Sequence, residues 1–184
     1  MRVCQTGGTT LGKRSEFKRR PRDFYPTPYE AVLPLIPHLN GTRRFAEPCS
    51  GKGDLVRHLE SFRLECIYSG DMHTGKNALA RDSYGRGKYC IVTNPPHSRD
   101  VMHQLIEHFW DIAPTWLLID LDWAANVHAT PYLWRCTDMV VIGRVKWFAN
   151  SKSAGKENYM WARFDGDHRG GPQFHNNRGG AAPE

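Results

Sequence analysis

The stretch Phe45-Ala46-Glu47-Pro48-Cys49-Ser50-Gly51-Lys52-Gly53-Asp54 decides the fold. An apolar start, an acid, a Gly-x-Gly turn and an aspartate that can open a helix read as strand, turn, helix. Glycines at such a turn let backbone N–H groups approach a ligand where side chains would collide. Outward from this unit the chain alternates. Residues 29–39 carry Ala31, Val32, Leu35 and Ile36 at helical spacing, with Pro34 and Pro37 bending or interrupting the run. Arg44–Glu47 is a strand, 54–62 a helix, and Glu65–Ser69 a second strand ending at Gly70-Asp71. Residues 89–93 form a third strand. The helix after it has Ser98 or Asp100 as N-cap and Val101, Leu105, Ile106 and Phe109 along one face. Residues 116–121 are another buried strand, and 139–148 with 159–164 are two final strands joined by a Lys-, Ser- and Gly-rich loop. Strands separated by helices predict an α/β fold with a mostly parallel sheet flanked by helices. Two closing strands with no helix between them predict an antiparallel C-terminal hairpin at one edge.

The glycine turn also bears on chemistry. A lone Gly-x-Gly can be a tight structural turn, and the third glycine of a dinucleotide fingerprint is missing. Instead the pattern is Glu-Pro-x-x-Gly-x-Gly. An acid there repels a pyrophosphate and suits a positively charged amine, which favours the amino-acid end of S-adenosylmethionine. Asp71 lies eighteen residues beyond Gly53, at the end of the next strand, where a carboxylate can accept ribose hydroxyls.

A second motif, Asn94-Pro95-Pro96-His97, follows Cys90-Ile91-Val92-Thr93. Asn94 falls at the carboxyl end of a strand, the edge where open α/β sheets bind ligands. Pro95 holds Asn94 extended, and both prolines fix their own φ. The Asn94 side-chain oxygen and the Pro95 carbonyl are then two acceptors converging on one spot, and their natural guest is an –NH2 group. Hydrogen bonds of this kind aim an aryl amine's lone pair at an electrophilic methyl group, so alignment and electrostatics supply the catalysis without a general base. The plain alternative is a turn.

Bulk properties bound the rest. The 184 residues are 40% hydrophobic and 24% charged, enough for one soluble domain with a sizeable core. No apolar run reaches membrane-spanning length and the basic N-terminus lacks the apolar core of a signal peptide, so a membrane partner is not expected and a cytoplasmic location is. Five scattered cysteines without close pairs predict reduced thiols and no metal site. The net charge of +6 is uneven: residues 13–22 hold Lys13, Arg14, Lys18, Arg19, Arg20 and Arg22 beside a single Glu, an arm suited to phosphate backbones or a solvated tail. The division expected is a basic flexible arm at 1–22, one domain at 23–165 and a Gly- and Asn-rich disordered tail at 166–184.

Taken in order, Phe24-Tyr25-Pro26-Thr27-Pro28, the Glu-Pro-Cys-Ser-Gly-Lys-Gly-Asp turn and Asn-Pro-Pro-His resemble the amino-methyltransferases of the Rossmann-like class I, S-adenosylmethionine-dependent type. The nearest likeness is to the small adenine-N6 DNA methyltransferases of bacteriophages and prophages. Residues 117–123, 143–148 and 158–165 resemble that family's last three strands, so the likeness spans 23–165. It implies that Phe24, Tyr25 and Thr27 hold the methionine part of S-adenosylmethionine, and that Glu47, Pro48, Gly51 and Gly53 form its loop. Asp71 would take the ribose, Asp82 the cofactor's adenine amine, and Asn94 and Pro95 the target amine. The implied activity is methyl transfer to the N6 amine of adenine in DNA with loose sequence preference, in a bacterial or phage-infected cell. RNA adenine, a protein glutamine amide, or a non-catalytic nucleic-acid-binding role are the alternatives. No oligomeric state is implied. His97 departs from the pattern, since that position is usually Phe, Tyr or Trp stacked on a flipped base. A neutral His97 is expected to stack there, with a surface or capping histidine as the bland alternative. Besides the arm, Lys152 and Lys156 are the expected nucleic-acid contacts, and Trp123, Trp134 and Trp147 can stack on bases or pack in the core.

Overall fold

The computed structural model describes residues 25–39, 41–148, 150–151 and 153–176. The basic arm (Lys13, Arg14, Lys18, Arg19, Arg20, Arg22), Phe24, Lys152 and the last eight residues of the expected tail lie outside them.

The elements in chain order are α1 (Tyr29–Val32), β1 (Arg44–Glu47), α2 (Asp54–Ser61), β2 (Glu65–Ser69), β3 (Cys90–Thr93), α3 (Arg99–Trp110), β4 (Thr115–Asp120), α4 (Leu121–Ala124), α5 (Thr130–Leu133), β5 (Cys136–Arg144), β6 (Asn158–Phe164) and β7 (Gln173–Asn176). They form a seven-stranded sheet in the order β2-β1-β3-β4-β6-β5-β7. The first four strands pair in parallel, β6 runs antiparallel to β4 and β5, and β7 is parallel to β5. The fold is therefore the expected α/β type, a mostly parallel, Rossmann-like sheet with antiparallel closing strands.

Period-2 alternation splits each central strand between two cores. Ala46, Ile91, Leu117 and Ile119 face α3, with its buried Met102, Leu105, Ile106 and Phe109. Phe45, Val92, Leu118 and Trp161 face α1 and α2, with Val32, Leu55 and Leu59. Fully burying side chains of this size contributes roughly 1.5–3 kcal/mol each. The Trp161 indole N–H, buried with them, donates to the Ala31 carbonyl at 2.8 Å and ties α1 to β6.

Four details depart from the expectation. The helix over 29–39 keeps one α turn and continues as a 3-10 segment over Leu33–Leu39, because prolines at 34 and 37 remove α-type donors. The strand expected to reach Phe148 leaves the sheet after Arg144. A bulge between Val141 and Gly143, with Gly143 at φ 79°, twists it away. The short helices α4 and α5 fill the β4–β5 connection. Finally, the chain is ordered past residue 166. Gly170 (φ 128°) and Gly171 (φ 82°) turn the backbone so that Gln173–Asn176 pairs with β5, covering an edge that would otherwise be bare. The hairpin is thus one strand in from the sheet's edge. His175 Nε2 lies 2.8 Å from Asp138 Oδ1 and fastens the added strand; burial alone would raise the Asp138 carboxyl, but hydrogen bonds from His175 and Thr137 and the nearby Arg163 bring it below its ordinary value.

Candidate active site

From β1 the chain crosses to β2 on one side and returns to β3 on the other. The topological switch point of the sheet therefore lies between the carboxyl ends of β1 and β3, where such sheets open a crevice. Both sequence motifs leave the sheet at this point.

On the β1 side, Glu47 turns inward. It is 1% exposed and takes hydrogen bonds on Oε1 from the Thr93 hydroxyl and, at 3.0 Å, the Cys49 N–H. Burial pushes its carboxyl up to about 8, the two donated bonds oppose the rise, and the charge of Asp71 adds to it. Near neutral pH Glu47 is thus a protonated strut between β1 and β3. Asp71, buried at the end of β2, braces the glycine turn: Oδ2 accepts from the Gly51 N–H at 2.9 Å and Oδ1 from the His73 N–H at 2.8 Å. Ser50 N–H donates to the Gly70 carbonyl at 2.8 Å, and Gly70 N–H to the Glu47 carbonyl at 3.0 Å. Gly51 (φ 52°) and Gly53 (φ 77°) adopt left-handed backbone, which is why glycine is needed at both positions. Gly53 is also the residue from which α2 springs.

On the β3 side, Asn94 Nδ2 donates to the Tyr25 carbonyl and to Thr27 Oγ1, each at 3.2 Å. These two acceptors set the amide so that Oδ1 points to His97, whose Nε2 lies 3.2 Å away. The Asn-Pro-Pro-His segment separates two cavities. One, of about 670 Å³, is lined by the glycine turn, Asp71, Thr27, Asn94 and Pro96, with an apolar wall of Leu79, Val101 and Leu105. The other, of about 890 Å³, is lined by His97, Trp123, Trp147, Phe148 and Tyr159 and rimmed by charged groups including Asp120 and Lys156. Tyr25 and Ser98 belong to both.

The second cavity is aromatic. Trp147 and Tyr159 meet edge to face at 4.9 Å and 81°, and Tyr25 lies 5.5 Å from Trp147 and 6.0 Å from Phe148. The His97 ring presents at 72° to Tyr159 (5.5 Å) and at 88° to Trp147 (6.4 Å). The far wall is held by the Trp123 indole N–H, which donates to His103 Nε2 at 2.9 Å. That bond requires His103 Nε2 to be unprotonated. Burial and the nearby Arg99 charge favour this by lowering the imidazole's affinity for a proton.

Tyr25, Thr27, Glu47, Pro48, Gly51, Asp71, Asn94 and Pro96 thus meet around one cavity, and His97 and Lys156 around the other. Gly53 sits behind the first cavity at the start of α2, and Pro95 is buried within the wall. Asp82, expected at the cofactor's adenine amine, is exposed and outside both linings, whereas Asn77, Ala78 and Leu79 line the first cavity. Asn77 carried a legible signal, an Asx residue before an apolar pair, and its side chain accepts from the Leu79 N–H at 3.0 Å. Tyr159 has no motif to mark it, only a place near the start of the second hairpin strand. An antiparallel β6 brings its first residues to the edge where the parallel strands end, and Tyr159 pairs with Asp120, the last residue of β4. Trp134 is exposed outside both cavities. Cys49, Cys66, Cys90 and Cys136 are free thiols that burial pushes up, to about 11 for Cys66 and about 12 for Cys90 and Cys136, which makes them poor nucleophiles. Among the described residues no group of His, Cys, Asp or Glu is arranged to hold a metal ion, and no helix is long and apolar enough to cross a membrane.

No protein-family profile and no curated protein matches the sequence. Among solved structures the chain is similar to the 23S rRNA methyltransferase ErmE, at 12% identity and a TM-score of 0.47, over 76% of this chain and 68% of that one. It is also similar to a dimethyladenosine transferase from Plasmodium falciparum, at 15% identity and a TM-score of 0.48, over 77% of this chain and 62% of that one.

Proposed function

We propose that the chain transfers a methyl group from S-adenosylmethionine to the exocyclic N6 amine of adenine in DNA. The observation that carries this reading is Asn94. It lies in the wall between two cavities, its amide is held by Tyr25 and Thr27, and its oxygen is turned toward the aromatic side.

The residues of the smaller cavity fit the cofactor. Its volume is within the range of small-molecule sites. The glycine turn leaves room for close backbone approach, and Leu79, Val101 and Leu105 suit the flat face of a purine. Asp71 supplies a carboxylate at the end of β2 for ribose hydroxyls, and Glu47, whose ionised form a bound cation would favour, faces the amine from the turn. Tyr25 and Thr27, which line the same cavity, would hold the methionine part. When bound, S-adenosylmethionine supplies an electrophilic methyl group.

The chain's own residues do the rest. Asn94 Oδ1 and the Pro95 carbonyl would accept hydrogen bonds from the two amine N–H groups, which localises the nitrogen lone pair and fixes its direction. The prolines keep those acceptors rigid, so little reorganisation remains for the reaction itself. The rings of Trp147, Phe148 and Tyr159 exclude water and offer faces for an unstacked base. Lys156, with Lys152 and the arm at 13–22, supplies phosphate contacts, from which loose sequence preference and steep salt dependence follow.

The test is incubation of the purified protein with labelled S-adenosylmethionine and DNA, RNA or protein, followed by nucleoside and peptide mass spectrometry. N6-methyladenine in DNA that disappears in Asn94→Ala is the expected result. Label found only in RNA or only in protein would overturn the choice of substrate, and label in none of them would overturn the activity.

A further inference from the structure

We propose that His97 is a protonation-sensitive gate on the Asn94 acceptor, a positioning residue in place of a stacking platform; this rests on the methyl-transfer reading above. With Nδ2 of Asn94 committed to Tyr25 and Thr27, the group facing His97 is Oδ1, which can only accept. His97 Nε2 at 3.2 Å must therefore carry a proton, as the Nε2–H tautomer or as imidazolium. That proton sits on the oxygen that the target amine has to use. The edge-on packing against Tyr159 and Trp147 holds the ring in this orientation.

The two protonation states then act differently. A neutral imidazole makes an ordinary N–H···O bond and leaves the second lone pair of Oδ1 available to the amine. An imidazolium makes a charge-assisted bond about twice as strong, which draws electron density from Oδ1 and weakens it as an acceptor for the substrate. It also places positive charge beside the electrophilic end of the site. Methyl transfer is thus open when His97 is neutral and closes as pH falls through its titration. The other charged and titratable groups lining its cavity are Tyr159 from β6, Lys156 and Glu157 from the loop before it, Asp120 from β4, Asp122 from α4, Arg99 and Asp100 from the first turn of α3, and Tyr25 ahead of α1. His128 lines the same cavity and is the other imidazole to control for.

Two measurements test this. In ¹⁵N-histidine NMR spectra of the full chain without ligand, His97 is expected in the Nε2–H form, reverting to a tautomer mixture in Asn94→Ala. At saturating cofactor, wild-type kcat/KM for DNA is expected to fall about tenfold per pH unit on the acid side of the His97 titration. His97→Gln keeps a neutral donor and His97→Phe frees the acceptor, so both should lose that limb, whereas His128→Gln should keep it. An Nδ1–H tautomer in the resting protein, or an acid limb that survives in His97→Gln, would overturn the gate while leaving methyl transfer intact. Absence of transfer from wild type at every pH would overturn the methyl-transfer reading and the gate with it.

Discussion

The two cavities on either side of Asn94 are built by different means. The smaller one is made of backbone: the turn after β1 and the loop after β2 are stitched by Asp71, Ser50 and Gly70, and Glu47 is buried beneath them. The larger one is made of rings, with Trp147, Tyr159, Tyr25 and His97 meeting at centroid distances of 4.9 to 6.4 Å. A backbone cradle shares its hydrogen bonds with the fold, so damage to it lowers stability and ligand affinity together. A ring lining contributes area, so truncating one ring removes binding on that side and leaves the other side standing. The same molecule thus offers a coupled site and an uncoupled one.

The largest effect is expected where the two sides meet. Asn94→Ala removes a preorganised acceptor and should lower kcat by about 10²–10³-fold, measured in single-turnover methyl transfer. Cofactor affinity should change less, and a larger loss of affinity than of kcat would place Asn94 with the cradle instead of the wall. Next is Trp147→Ala. A stacked base contributes roughly 1–3 kcal/mol, so KM for DNA should rise about 5- to 150-fold with cofactor Kd unchanged. A parallel rise in cofactor Kd would break the distinction between the sides. Asp71→Asn follows: it sets an amide donor against an N–H donor and should cost roughly 1–3 kcal/mol in urea unfolding. Cofactor affinity should drop about tenfold with it, and full stability with weakened cofactor binding would show that the carboxylate is not the brace described.

The contrast also explains what was legible in the sequence. The cradle is local. Glu47 through Asp54 is one run, and glycines at left-handed positions announce themselves by residue type, so β1, its turn and the start of α2 could be read directly. Asn-Pro-Pro was legible for the same reason, since prolines fix backbone geometry wherever they occur. The aromatic side is assembled from Tyr25, His97, Trp123, Trp147 and Tyr159, which no spacing rule connects. Trp147 reaches it only because the chain leaves the sheet after the bulge at Gly143, and Tyr159 only because β6 is antiparallel. His97 is expected as a platform because the resemblance puts an aromatic ring at its position. Its edge-on setting against Tyr159 and Trp147, more than forty residues away, has no signal in the sequence. Asp82 is carried by the resemblance alone, and the irregular stretch between β2 and β3 that holds it has no period to fix which residue lines the cavity. β7 was missed because a glycine-rich composition hides a strand whose stability comes from the edge it covers.

The smallest effect should come from Glu47→Gln at acid pH, and its value lies in its pH dependence. The wild-type carboxyl titrates at about 8 in the folded chain against an ordinary value of 4.5, so between those values the native state holds a proton that the unfolded chain has released. Its contribution to stability is therefore fully present below about 4.5, declines as pH rises toward about 8 and levels off above that. Glutamine keeps an oxygen for Thr93 and Cys49 and cannot ionise. The variant should match wild type at acid pH and become relatively more stable as pH rises, by a few kcal/mol at most. Urea unfolding at acid, neutral and alkaline pH measures this, and parallel profiles for the two proteins would show that Glu47 is ionised in the fold. The same proton bears on ligand binding. A cationic amine seated beside Glu47 favours the carboxylate, so binding by wild type should release a proton and tighten as pH rises, while the glutamine variant should show neither response. Calorimetry in two buffers of different ionisation enthalpy separates the cases. Equal proton release from both proteins would show that Glu47 is not the cation's partner, and would change the orientation of the ligand in the cradle.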